Sequence, residues 1–146
     1  MNAYDCDGVL ASIAVKRDKT WGRMLGPERR AWQATLMAAY STATPLLIPE
    51  DTEQFDVITA RKPDAVPLTM QWLAKHFPGR VRNLHSLPPG VGRNVENVVN
   101  WKATVILANG YENFTEDYRP VVCGIRLIVG DRCRVWHFKS GAMTLA

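Results

Sequence analysis

The chain has 146 residues, with 18 Lys and Arg against 14 Asp and Glu and a net charge of +4 at neutral pH. Hydrophobic residues make up 47% and charged ones 22%, which excludes a disordered or fibrous chain; the length suits one domain that buries a core without staples. Cys6, Cys123 and Cys133 are an odd number without a C-x-x-C pair, so neither a disulfide scaffold nor a zinc ribbon is expected, and a reducing compartment is. No run approaches the ~20 apolar residues of a membrane span; the longest, 104–108 and 121–129, are strand-sized. The acid at Asp5 argues against a signal peptide, and the expectation is a soluble cytoplasmic protein with no membrane partner.

Short strand-like and helix-like pieces alternate along the chain, which predicts an α/β layer fold with a mainly parallel sheet. Residues 1–4 form a short first strand that runs into Asp5-Cys6-Asp7-Gly8. Stretch 16–30 then holds Lys16, Arg17, Lys19, Arg23, Arg29 and Arg30 against Asp18 and Glu28, the whole net excess in one segment. Such a cluster can attract phosphate-bearing partners, although a charge run is more often a solvated face. Gly26-Pro27-Glu28 opens a helix whose Trp32, Leu36 and Tyr40 recur at four-residue spacing, the pattern of a packed face.

Residues 55–58 read as a second strand ending at Thr59. Asp64 is placed to cap a helix running to Phe77, with Val66, Met70, Leu73 and Ala74 on its apolar face and Pro78-Gly79 as its stop. A third strand is expected at 80–84, and 95–108 suits either a helix or a strand. At the end, 121–129 and 133–138 flank Gly130-Asp131-Arg132, which predicts a C-terminal β-hairpin.

Asp5 and Asp7 stand at positions i and i+2 of a strand end, within ~7 Å of each other. Two carboxylates that close repel unless a cation joins them, although a D-x-D-G tetrapeptide also makes an Asx turn. Strand alternation turns the intervening Cys6 to the opposite face, as a packed residue rather than a nucleophile. Thr59-Ala60-Arg61 ends the second strand at the same sheet edge and offers a hydroxyl and backbone N–H groups to an anionic oxygen. His76, His85 and His137 lack metal-ligand spacing, and Gly90-Val91-Gly92 lacks the third glycine of a dinucleotide loop.

Asp5-x-Asp7-Gly-Val, Val-Ile-Thr59-Ala-Arg, Lys102 and Glu116-Asp117, in that order over residues 1–120, resemble the haloacid dehalogenase-like superfamily of phosphohydrolases. The resemblance implies a three-layer Rossmann-like domain spanning 1–146, with at most a small helical insertion at about 16–45. It implies Asp5 as nucleophile, forming an aspartyl-phosphate, and Asp7 as general acid and base. Thr59 and Lys102 would hold the phosphoryl oxygens, and Ala60 and Arg61 would adjoin the substrate. Asp5, Asp7 through its carbonyl, Glu116 and Asp117 would gather about Mg²⁺, with the choice between Glu116 and Asp117 as direct ligand left open. The activity implied is a Mg²⁺-dependent phosphatase acting on a phosphomonoester, a phosphorylated small molecule, a nucleotide or a nucleic-acid end. The alternative is an inactive protein of this fold that binds nucleic acid or a protein partner through 16–30.

Overall fold

Side-chain alternation in the first strand sorts the interior into two layers. In β1 (Asn2–Tyr4), Ala3 joins a core with Ile58, Val99, Ile106 and Ile125, while Tyr4 points the other way into a core with Phe55, Val57, Trp72 and Leu73. The computed structural model describes residues 1–13, 25–50 and 53–146. Most of the basic stretch 16–30 therefore lies outside the described residues; Arg29 and Arg30 are exposed.

β1 is flanked on both sides by parallel partners, β4 (Phe55–Thr59) and β6 (Asn113–Glu116). β5 (Val81–Ser86) extends the sheet beyond β4, and β7 (Arg134–Lys139) and β8 (Ala142–Leu145) extend it beyond β6, giving the order β5-β4-β1-β6-β7-β8. All pairings are parallel except β7 with β8. The order reverses at β1, so the ends of β1, β4 and β6 open onto one crevice, where open α/β sheets place ligands. This is an α/β fold compatible with a Rossmann-like arrangement.

Helices cover both faces. α2 (Val66–His76) packs with the Tyr4 layer, and α3 (Val95–Asn109) and α4 (Arg119–Val129) with the Ala3 layer. Asn94 caps α3 by accepting from the Asn97 amide at 2.8 Å, and Gly110 ends it in the left-handed conformation. α3 and α4 approach so closely that a β-carbon on Gly124 would lie 2.8 Å from Val99.

Between β1 and β4 an antiparallel pair, β2 (Ala11–Ser12) and β3 (Thr44–Pro45), brackets α1 (Gly26–Thr42). Trp72 of α2 anchors the return of this insertion by donating to the Ala43 carbonyl at 2.7 Å.

The structure corrects several expectations. Residues 121–129 are not a hairpin strand but belong to α4: Val121, Val122, Ile125 and Val129 are buried on one side, while Leu127 and Ile128 face solvent. Helical spacing wins because this run can bury a stripe on α3, which an antiparallel pairing with 133–138 would not provide. The antiparallel neighbour of β7 is instead β8. Asp64 caps nothing; it lies in a short 3-10 turn, and α2 starts after Ala65 without a side-chain cap. α2 buries Thr69, Trp72 and Leu73, leaving Met70 and Ala74 exposed. In α1 only Tyr40 is buried, with Trp32 and Leu36 half-buried.

A second polar cluster lies within the sheet. Asp56 of β4 is fully buried and accepts from Arg82 at 3.0 and 3.2 Å, from the Asn83 amide at 3.0 Å and from the Tyr111 hydroxyl. Burial alone would raise its pKa, but the donors outweigh burial and hold it below the usual carboxylate range.

Candidate active site

Lys102 organises the crevice. It extends from α3 and is buried, with Nζ 2.9 Å from Asp5 Oδ1 and 2.6 Å from Glu116 Oε2. Burial would lower its pKa, yet the two carboxylates more than compensate and hold the ammonium charged. Asp5 leaves β1 with its amide still donating to Thr115 of β6 at 2.9 Å, so its carboxyl is fixed where the central strand ends. Its pKa is raised well above the usual value by burial first and by Glu116 second, with Lys102 opposing.

The last acid pair closes the site from β6. Glu116 Oε1 accepts from the Asp117 and Tyr118 amides at 3.2 Å each, while Oε2 faces Lys102. Asp117 has no ion pair among the described residues, and burial followed by the charge of Asp5 raises its pKa. Ligand atoms of Asp5, Glu116 and Asp117 lie within 4.8 Å of one another, a spacing that could hold a metal ion. Asp117 also faces Gly8, whose positive φ of 80° carries the chain away from Asp7.

Of the residues singled out in the sequence, Asp5, Lys102, Glu116 and Asp117 thus meet in one cluster. The Asp7 carboxylate does not join the group of three; it pairs with Arg61, whose Nε donates to its oxygens at 3.0 and 3.2 Å. Thr59, buried at the end of β4, accepts from the Arg61 amide at 3.1 Å. Arg61 is itself buried and directs its guanidinium at Asp7 and Thr69. The sequence signalled this arrangement only by placing an arginine two residues after Thr59. Cys6 is fully buried, and burial pushes its thiol pKa up, as an inert packed residue requires.

An open groove of about 500 Å³ adjoins the cluster, bounded by Gly8 and Asp117 and flanked by Arg119, His137 and Lys139. His137 Nε2 donates to the Asp117 carbonyl at 2.9 Å, which ties β7 to the acid pair. Among the described residues, no helix is long and apolar enough to cross a membrane. Compared with known protein families, curated proteins and solved structures, the chain matches none.

Proposed function

We propose that the chain is a phosphohydrolase of the haloacid dehalogenase-like type, hydrolysing a phosphomonoester through Asp5. The observation that carries this reading is the buried Lys102 ammonium held between Asp5 and Glu116, with Asp117 within metal-ligand reach. Once all three are ionised, the carboxylates outnumber the one ammonium by two charges, which suits a divalent cation. An all-oxygen donor set fits Mg²⁺.

Asp5, Glu116 and Asp117 would hold the ion, and both Glu116 oxygens already have partners, so Asp117 is the freer donor. Bound there, Mg²⁺ supplies positive charge to the phosphoryl oxygens and lets the anionic nucleophile approach.

The chain's own residues carry the rest. Asp5 attacks phosphorus through a carboxylate oxygen, the ester bond breaks, and an aspartyl-phosphate forms. Asp7, protonated from solvent at its open edge, gives that proton to the departing alkoxide and then takes one from the water that attacks the phosphoenzyme, a role worth ~10²- to 10⁴-fold. Lys102 and the Thr59 hydroxyl balance charge on the transferred group. Arg119 and Lys139 flank the groove and favour an anionic leaving group, which supports a nucleic-acid end, or a nucleotide with a second phosphate, as substrate.

Hydrolysis of an aryl phosphate, measured with Mg²⁺ and with EDTA, tests the reading. Mg²⁺-dependent turnover that disappears in Asp5→Asn supports it; turnover undiminished in that variant overturns it.

A further inference from the structure

This inference rests on the phosphatase reading and concerns how its acid is held. Arg61 has no exposed side-chain surface, whereas Asp7 keeps 37% of its own open, enough to meet a leaving group. Nε of Arg61 and one terminal nitrogen both donate to the Asp7 carboxylate, and the other terminal nitrogen donates to Thr69 Oγ1 at 3.0 Å. Thr69 in turn donates to the Ala65 carbonyl at 2.8 Å, fixing it to the start of α2. The guanidinium face lies 3.7 Å from the centre of the Tyr40 ring. Tyr40 is the one buried residue of α1, the helix inserted between β1 and β4.

A guanidinium held along its edge by Asp7 and Thr69 and on its face by an aromatic ring has little rotational freedom, and lysine could not reproduce that fork. Burying an arginine this completely is costly unless every donor is used, and here the fork is aimed at Asp7, which stands apart from the Lys102 cluster. We infer that Tyr40 and Arg61 are positioning residues that hold Asp7 for proton transfer, so that the insertion helix is a working part of the general-acid device. The chain of contact runs from α1 through Tyr40 and Arg61 to Asp7.

Leaving-group dependence tests the inference, because nitrophenolate departs without protonation and an alkoxide does not. The full chain is assayed with Mg²⁺ on p-nitrophenyl phosphate and on a simple alkyl phosphate. Arg61→Gln is expected to lower kcat on the alkyl ester by roughly 10² and on the aryl ester by under tenfold. Tyr40→Leu, which keeps apolar volume and loses the ring, shifts the ratio the same way, and Tyr40→Phe restores it. In an Asp7→Asn background, Arg61→Gln adds less than about threefold, since the two act as one unit. Equal losses on both esters, or a rise in KM with kcat intact, would overturn the inference. Tyr40→Leu decides the matter if Arg61→Gln does not fold. A wild-type chain that hydrolyses neither ester overturns the phosphatase reading and this inference with it; an active wild type with no selective loss overturns this inference alone.

Discussion

Gly8 and Asp117 touch across the mouth of the crevice with no room for a side chain between them. A β-carbon at residue 8 would lie 2.0 Å from Asp117 Oδ2, and φ of 80° there is strained for any other residue. Gly8→Ala is therefore expected to cost roughly 1–3 kcal/mol and to push Asp117 off its place. Thermal melting together with Mg²⁺-dependent turnover checks this: the melting temperature drops, and activity falls further than the loss of folded protein explains.

Asp5 and Lys102 should respond to substitution with opposite signs of stability. Asp5 is a buried acid beside Glu116, and its raised pKa means that ionising it opposes folding. Asp5→Asn relieves that repulsion and should stabilise the metal-free protein by about 1 kcal/mol, a gain of a few degrees in melting temperature, while abolishing turnover. Lys102→Met leaves two buried carboxylates without their cation and should cost about 3–5 kcal/mol. Melting curves of the two metal-free variants settle the order; a destabilised Asp5→Asn would count against the electrostatic account of the cluster.

The buried Asp56 is expected to contribute to acid stability away from the site. Its folded pKa is depressed by its donors relative to about 3.9 in the unfolded chain, so its contribution is present above that value and is lost as pH falls through the folded one. Urea titrations from pH 6 to pH 3 should show stability declining at the acid end, with a shallower decline in Asp56→Asn. That variant should also be less stable at pH 7 by about 2–4 kcal/mol, because Arg82, Asn83 and Tyr111 lose a charged acceptor. An unchanged pH slope would remove Asp56 from the account.

The groove residues Arg119 and Lys139 have no ion-pair partner among the described residues. Reversing both to Glu is expected to raise KM for a phosphate-ended oligonucleotide, whose leaving strand carries further phosphates, by roughly tenfold, with kcat little changed, and to reduce the salt dependence of KM. The same pair of substitutions should leave KM for p-nitrophenyl phosphate nearly as it was.

The residues of the Lys102 cluster were more legible in the sequence than the packing that holds them. Asp5, Lys102, Glu116 and Asp117 stood out through their order along the chain, by the resemblance to the haloacid dehalogenase-like superfamily, and the sheet edge joins them across 97 residues between Asp5 and Lys102. The alternation of strands and helices likewise announced a parallel sheet. Residues 121–129 misled because a run rich in Val and Ile has the composition of a strand, and only the facing surface of α3 makes it helical. Asp56 read as an ordinary strand residue, since its donors come from β5 and from Tyr111, far along the chain. Arg61 was read as a substrate contact for the same reason: its partners Asp7, Thr69 and Tyr40 belong to separate elements, and no local pattern links them.

The most direct test of the central claim is a crystal structure of the chain grown with Mg²⁺ and beryllofluoride, which mimics a phosphoryl group on a carboxylate. The account predicts beryllium bonded to a carboxylate oxygen of Asp5, an ion shared by Asp5 and Asp117, and Lys102 and Thr59 against the fluorines. Beryllofluoride absent from Asp5, or an ion bound away from Asp5, Glu116 and Asp117, would contradict it.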